Sequence, residues 1–354
     1  MQSDKQGEVV VSRTFLFAAS VAFMLTAACQ QLPANSDQPA NPTAAYFNNS
    51  GHPDAWAGGV RMVEISTPNG KFHVWVKRVG NNPRLKLLLL HGGPGATHDY
   101  MEAVDSFLPA EGIEYYHYDQ LGSGRSDHPT DDNLWTIDRF VSEVDQVRAA
   151  IGADKSNFCL LGQSWGGILA MEYALAHQDQ LKCLVISNMM ASIPAYNAYA
   201  DKVLKPQMDP TKLALIEELE KSGKTDDPRY MGALMPEFYE KHFLRRPAAE
   251  WPEPVLYSFG QLNKHVYVLM QGPSEMGASG RLEHWDRFAE LKRITVPTLV
   301  ISGKYDTMDP AYMARMAKQL PNGTLLATNG SHLAMYDDQQ AYFDGLKAFL
   351  GKYR

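Results

Sequence analysis

The residue that most directly indicates chemistry is Ser164. It lies between an apolar run at residues 158–161 and a helix-like stretch at residues 168–174, within the motif Gly162-Gln163-Ser164-Trp165-Gly166-Gly167. A serine on so sharp a strand-to-helix turn has a strained backbone, and flanking glycines remove the side chains that would clash there. We therefore predict that Ser164 is a nucleophile at a helix start, where unpaired N–H groups favour a developing oxyanion.

A serine nucleophile needs a base within hydrogen-bond reach and a third group that orients the base. Asp306 follows a late predicted strand and His332 follows the last one, so the three residues occur in the order Ser, Asp, His. This order predicts that His332 takes the proton of Ser164 and that Asp306 holds the imidazole tautomer. Asp309 is the alternative to Asp306, although it also suits the cap of a following helix.

The oxyanion of an acyl-transfer intermediate needs two hydrogen-bond donors. We assign them to the backbone N–H groups of Trp165 and Gly93, because the glycines around Gly93 let bare backbone approach a reacting carbonyl. Asp119 and Arg125 are interpreted as a structural turn network near the site. The earlier histidines that could serve as alternative bases are His91, His98 and His117, of which His91 is expected to support its own loop.

Strand-like and helix-like segments alternate in the order needed to position these residues. Residues 59–66 and 71–79 read as a hairpin, residues 85–90 and 113–118 as buried strands, and residues 136–151 as an amphipathic helix. This pattern predicts an α/β fold with a mostly parallel, eight-stranded sheet flanked by helices. We expect residues 56–188 and 292–354 to form its core, and the Met-, Pro- and aromatic-rich residues 189–291 to form an inserted helical cap.

Composition excludes several classes of function. The chain has 33 basic and 40 acidic residues and a net charge of −7, so it lacks the basic footprint of a nucleic-acid-binding protein. It has no cysteine and histidine cluster with zinc-like spacing, and we predict neither a metal nor a cofactor. Cys159 and Cys183 fall in predicted neighbouring strands and are expected to be buried free thiols rather than a disulfide.

Residues 1–29 are predicted to be a signal peptide. Residues 15–28 are almost wholly apolar, follow Arg13, and are too short to span a bilayer comfortably. Cys29 follows Leu25-Thr26-Ala27-Ala28, which resembles a lipoprotein cleavage box with its leucine one place further upstream. Residues 30–55 have the composition of a linker. We expect a periplasmic or lipid-anchored protein, and a frayed or buried N-terminal helix on a cytoplasmic protein is the alternative.

The motifs together resemble those of the proline iminopeptidase family of α/β-hydrolases, which includes related amino-acid amidases and the tricorn-interacting aminopeptidase. The resemblance runs from about Arg61 to the C-terminus. The segments that carry it are His91-Gly92-Gly93-Pro94-Gly95, Asp119-Gln120-Leu121-Gly122-Ser123-Gly124-Arg125-Ser126, residues 162–167 and Gly330-Ser331-His332. The resemblance implies an α/β-hydrolase fold and release of an N-terminal residue, often proline, from a small peptide, amide or arylamide.

The resemblance also implies an anionic subsite for the substrate's free ammonium group. Glu237 and Glu275 match the family's cap glutamates by local motif, and Glu240 is a competitor of Glu237. Met276 stands where the family usually has an aromatic residue, so the preferred N-terminal residue stays open. The alternative functions are an esterase, lactonase or general amidase that needs no free amine, and a catalytically idle, lipid-anchored binding protein. The sequence does not indicate an oligomeric state.

Overall fold

The computed structural model describes residues 42–354, in which eight strands form one sheet. The strands are β1 (Val60–Thr67), β2 (Gly70–Val79), β3 (Lys86–Leu90), β4 (Glu114–Asp119), β5 (Phe158–Gln163), β6 (Cys183–Ser187), β7 (Thr298–Gly303) and β8 (Gly323–Thr328). Their order across the sheet is β1-β2-β4-β3-β5-β6-β7-β8. β2 pairs antiparallel with both neighbours and every other pair is parallel. The predicted mostly parallel, eight-stranded sheet is confirmed.

Helices cover both faces of the sheet. Leu88 and Leu90 of β3 belong to one apolar cluster, and Leu87 and Leu89 belong to another, because successive side chains of a strand point to opposite faces. The α-helices are α1 (Pro42–Tyr46), α2 (Ile137–Ala150), α3 (Trp165–His177), α4 (Ile193–Tyr199), α5 (Pro210–Lys221), α6 (Pro228–Leu234), α7 (Glu253–Gly260), α8 (Lys264–Met270), α9 (Pro310–Gln319), α10 (Ala334–Asp337) and α11 (Gln339–Leu350). The first cluster includes α2, α3 and α9, and the second includes α11.

The segment between β6 and β7 is helical and adds no strand to the sheet. It contains α4 to α8, and α6 continues into a π-helical segment, Met235–Phe243. Aromatic side chains of this segment pack over the carboxyl end of the sheet, where Phe243 lies 5.4 Å from the ring of His332. Within residues 42–354 no helix has both the length and the apolar character that a bilayer crossing requires.

The predicted signal peptide at residues 1–29, Cys29 and the first part of the predicted linker lie outside the described residues. The described part of that linker contacts the core. The Tyr46 hydroxyl donates a hydrogen bond to the Ile113 carbonyl, and the Asp54 carboxylate lies 2.7 Å from the Arg78 guanidinium in a buried ion pair. Residues 46–54 are therefore held against the end of β2.

The expectation of two free thiols is wrong, because Cys159 and Cys183 form a disulfide. The two residues are direct partners in the parallel register of β5 and β6. Their Cα atoms are 4.7 Å apart, which is within the range that a disulfide spans. The sequence predicted neighbouring strands but could not supply this register.

Candidate active site

Ser164 occupies the turn between β5 and α3. Its φ of 55° and ψ of −127° place a non-glycine residue in a strained region of backbone space. A Cβ at Gly162 would lie 1.9 Å from the Gly166 carbonyl oxygen, and a Cβ at Gly166 would lie 2.1 Å from the Leu90 carbonyl oxygen. Both flanking positions therefore require glycine, and the turn can form only because they have it.

His332 and Asp306 come together above the sheet, from the loops that follow β8 and β7. The Nδ1 atom of His332 lies 2.8 Å from Oδ1 of Asp306. Because a carboxylate only accepts hydrogen bonds, Nδ1 carries the proton and Nε2 is left as the basic nitrogen. Nε2 is buried and has no hydrogen-bond partner among the described residues, and the imidazole lines the same cavity as Ser164. Asp309, the alternative acid, instead caps α9 by accepting from the Ala311 N–H.

Asn188 holds the Asp306 carboxylate in place. Its side-chain amide donates to Oδ2 of Asp306 at 2.7 Å and to the Ser331 carbonyl at 3.1 Å. Asn188 follows β6 with a φ of 53°, a conformation that asparagine tolerates better than most residues. Asn188 was not predicted from the sequence, although its position directly after a parallel strand was a usable signal.

The environment of His332 favours its protonated form. Burial of the imidazole acts to lower its pKa, but the Asp306 carboxylate and the more distant Glu275 carboxylate outweigh burial, so the pKa of His332 is raised. A raised pKa strengthens the base that must remove the serine proton.

Gly93 lines the same cavity as Ser164, and Trp165 directly follows Ser164 in the chain. Gly93 lines the cavity, and its φ of 109° is open to glycine but rarely to other residues. Trp165 is the first residue of α3, so its N–H belongs to the unpaired first turn. Among residues 42–354 neither N–H donates to a protein acceptor, which leaves both available to an oxyanion. The Trp165 indole N–H donates to Gln120 and is turned away from this role.

Tyr100 and Gln163 connect the three loops of the site. The Gly92 N–H donates to the Tyr100 hydroxyl at 2.7 Å, and that hydroxyl donates to Oε1 of Gln163 at 2.6 Å. The Gln163 amide then donates to the His332 carbonyl at 3.0 Å. This buried chain fixes the glycine loop, the serine turn and the histidine loop relative to one another. Neither residue was assigned a role from the sequence.

The other histidines do not line the cavity. The fully buried His91 donates from Nδ1 to its neighbour's carbonyl and accepts the Gln120 N–H at Nε2, and burial lowers its pKa to about 4. It therefore supports its loop as a neutral imidazole. His98 is held by Asp119, and His117 by Asp105, with contacts of 2.8 and 2.9 Å.

Glu275 is a buried carboxylate in the wall of the cavity. Tyr267 donates its hydroxyl to Oε1 of Glu275 at 2.7 Å, and the Tyr239 hydroxyl accepts the Glu275 N–H at 3.3 Å. Tyr196 binds the Glu275 carbonyl from the opposite side. Burial raises the pKa of Glu275, although the charge of His332 and the hydrogen bond from Tyr267 act to lower it. Glu275 forms no ion pair with a lysine or arginine among residues 42–354. The carboxylate is thus positioned firmly and left without a charge partner.

The structure corrects the expectation for Glu237, which does not line the cavity. Its carboxylate is bound by Lys212 at 2.7 Å and by Lys241 at 2.9 Å, and these ammonium groups lower its pKa to about 2. Glu237 lies in the π-helical segment Met235–Phe243, and Lys241 follows it four residues later in the same segment. Glu240 is also engaged elsewhere, since it accepts the Ala248 N–H.

The cavity between the sheet and the helical segment encloses about 250 Å³. Glu275 is the one carboxylate in its wall within the described part of the chain. Most of the remaining wall is aromatic or aliphatic, which suits a small, mainly apolar group held by few polar contacts. The apolar and tyrosine side chains in the wall are Tyr100, Tyr230, Met231, Tyr239, Phe243, Val255, Phe259, Leu262, Tyr267, Val268 and Leu333.

Asp119 and Arg125 form the expected turn network outside the cavity. Asp119 accepts from the backbone N–H groups of His98 and Arg125, and the Arg125 guanidinium lies 3.6 Å from Asp99. His98, Asp99 and Glu102 bring potential metal-ligating atoms within 4.8 Å of one another. We assign no metal to them, because His98 and Asp99 are already engaged by Asp119 and Arg125.

Comparisons with known proteins agree with this fold. A profile described as the alpha/beta hydrolase fold matches residues 87–339. Proline iminopeptidases of Flavobacterium johnsoniae and Elizabethkingia meningoseptica are 54% and 52% identical, and each match covers 82% of this chain and 97% of the relative. The crystal structure of a Mycobacterium smegmatis proline iminopeptidase superimposes with a TM-score of 0.72 at 30% identity, covering 83% of this chain and 98% of that one.

Proposed function

The chain belongs to the proline iminopeptidase family of α/β-hydrolases, and we propose that it is a serine exopeptidase that releases N-terminal proline from short peptides and amides. The observation that carries the proposal is the content of one cavity. It contains Ser164, His332 and the buried, unpaired carboxylate of Glu275. A nucleophile beside a single anionic subsite suits a substrate that is cleaved next to a free ammonium group.

Acylation begins when Nε2 of His332 takes the proton of the Ser164 hydroxyl and Oγ attacks the carbonyl of the N-terminal residue. The N–H groups of Gly93 and Trp165 bind the oxyanion of the tetrahedral intermediate. Asp306 stabilises the imidazolium, which then protonates the leaving nitrogen as the C–N bond breaks. A prolyl ester of Ser164 remains.

Deacylation repeats these steps with water as the nucleophile. Water gives a proton to Nε2 of His332 and attacks the ester carbonyl. When the second intermediate collapses, the imidazolium returns the proton to Oγ of Ser164 and free proline is released.

Glu275 explains why the proposed substrate needs a free amine. Desolvating an ammonium is costly unless it is paired with an opposite charge, and burial leaves the Glu275 carboxylate with the same need. A bound prolyl ammonium therefore neutralises both groups. The apolar wall, which includes Phe259 and Val255, then packs against the pyrrolidine ring.

Met276, which stands where the family usually has an aromatic residue, does not argue against proline as the N-terminal residue of the substrate. Met276 is buried and does not belong to the wall of the cavity that contains Ser164. The residue next to Glu275 therefore does not determine the surface against which the ring packs.

A substrate panel tests the proposed function. Arylamides of proline, alanine and leucine, N-acetylprolyl arylamide and an acyl ester of similar size are compared by kcat/KM. We expect proline arylamide to be hydrolysed fastest, and the N-acetylated form to be a poor substrate because it cannot pair with Glu275. Equal rates for the free and acetylated forms would support a general amidase or esterase instead.

We also propose that the protein is exported and anchored through a lipid on Cys29. The apolar residues 15–28 support export, and so does the Cys159–Cys183 disulfide, because disulfides persist mainly in oxidising compartments. Mass measurement of the mature protein from fractionated cells is the test. We expect an acylated Cys29 at the N-terminus, and an intact Met1 in the soluble cytoplasmic fraction would refute the proposal.

A further inference from the structure

The cavity has a second charged end. Glu275, with 7% of its surface exposed, marks the inner end, and Lys264 lies in the same wall at the opening, with 52% of its side chain exposed. Both are connected to α8, in which Lys264 is the first residue and Tyr267, one turn later, donates to Glu275. The Glu275 carboxylate and the Lys264 ammonium therefore line the same cavity as Ser164, and α8 positions both groups.

The Lys264 ammonium is paired with Asp226. Thr225, the residue before Asp226, also lines the cavity. This pair is exposed, with 89% of the Asp226 side chain accessible to solvent. Exposed ion pairs contribute little net free energy because water competes for both partners. A ligand carboxylate at the opening can therefore displace Asp226 from Lys264 at small cost.

The direction of a bound substrate follows from the proposed function, on which this inference rests. If the N-terminal ammonium is held by Glu275 at the inner end, the leaving portion of the peptide points toward the opening, where Lys264 lies. We propose that Lys264 binds the C-terminal carboxylate of short peptide substrates, so that the enzyme favours prolyl di- and tripeptides with a free C-terminus over their C-terminal amides.

The test compares prolyl-alanine and prolyl-alanyl-alanine with their C-terminal amides, with released proline measured by mass spectrometry. The quantity of interest is the ratio of kcat/KM for acid over amide. A partly exposed charge pair gives about a two- to five-fold ratio in the wild-type enzyme. Lys264→Met should reduce that ratio to about one. Asp226→Asn should increase it, because Lys264 loses its competing partner.

Lys221→Met is the matched control, since it removes the same charge from α5 outside the cavity wall. It should retain the wild-type ratio. An acid-to-amide ratio that is unchanged in Lys264→Met, or that falls equally in Lys221→Met, overturns the proposal. The C-terminal amide of prolyl-glutamate has a carboxylate on its side chain and none at its C-terminus, so it tests which carboxylate Lys264 binds. If Lys264 raised kcat/KM for this amide as much as for the dipeptide acid, the assignment to the C-terminus would be overturned.

Failure of this inference differs from failure of the proposed function. If the wild-type enzyme does not hydrolyse proline arylamide, the function itself is wrong. If it hydrolyses proline arylamide but shows no Lys264-dependent acid-to-amide ratio, only the role of Lys264 is wrong.

Discussion

Replacement of Glu275 by glutamine isolates the contribution of its charge. The substitution preserves the size of the side chain and an oxygen for the 2.7 Å hydrogen bond from Tyr267, but it removes the negative charge from a buried site. A hydrogen bond to a charged partner contributes about 1.5–3 kcal/mol. Losing it from the bound prolyl ammonium should reduce kcat/KM by roughly 10- to 150-fold.

The assay compares proline arylamide with cyclopentanecarbonyl arylamide, which has the same five-membered ring without the amine. The predicted loss in Glu275→Gln applies to proline arylamide, and the carbocyclic substrate should change by less than about two-fold. Glu237→Gln is the matched control, because the Glu237 carboxylate is occupied by Lys212 and Lys241. Equal losses for both substrates in Glu275→Gln, or loss of the amine preference in Glu237→Gln, would refute the reasoning.

Three further predictions concern Asn188, Gly166 and the coupling of Glu275 to His332. Asn188→Ala removes the 2.7 Å hydrogen bond to Asp306 and should reduce kcat by about ten-fold with little change in KM. A change confined to KM would contradict the role of Asn188 in positioning Asp306. Gly166→Ala places a Cβ 2.1 Å from a backbone carbonyl oxygen and should lower the free energy of unfolding by about 3 kcal/mol in urea titration, and wild-type stability would contradict this. Glu275 raises the pKa of His332, so His332 should stay neutral to lower pH in Glu275→Gln. The acid limb of the pH profile of kcat/KM for the carbocyclic substrate should therefore move to lower pH. A shift to higher pH would contradict this effect of Glu275 on His332.

Much of the fold could be predicted from local patterns. Mainly apolar runs such as residues 85–90, in which Lys86 is the exception, mark strands buried on both faces. The motif at residues 162–167 combines a strand end, a strained serine and a helix start. Because carboxyl ends of parallel strands share one edge of a sheet, residues that follow β5, β7 and β8 were expected to meet. The structure brings Ser164, Asp306 and His332 to that edge.

The remaining features depend on contacts that no local pattern contains. Glu237 matches a family motif, but its carboxylate is bound by Lys212, which is distant in the sequence. The Cys159–Cys183 disulfide depends on the register of β5 and β6. A register shift of one residue would separate the two side chains, and the disulfide could not form. The Tyr100–Gln163 hydrogen bond joins two residues separated by 63 positions, and neither residue type indicates the partner.

In the proposed mechanism Ser164 carries the prolyl group during turnover. Rapid acid quench of the enzyme with proline arylamide, followed by peptide mass spectrometry, tests it directly. We predict a mass increase of one prolyl residue on the peptide that contains Ser164 in the wild-type enzyme, with neither adduct nor turnover in Ser164→Ala. Proline release by Ser164→Ala at the wild-type rate, or an adduct on another residue, would contradict it.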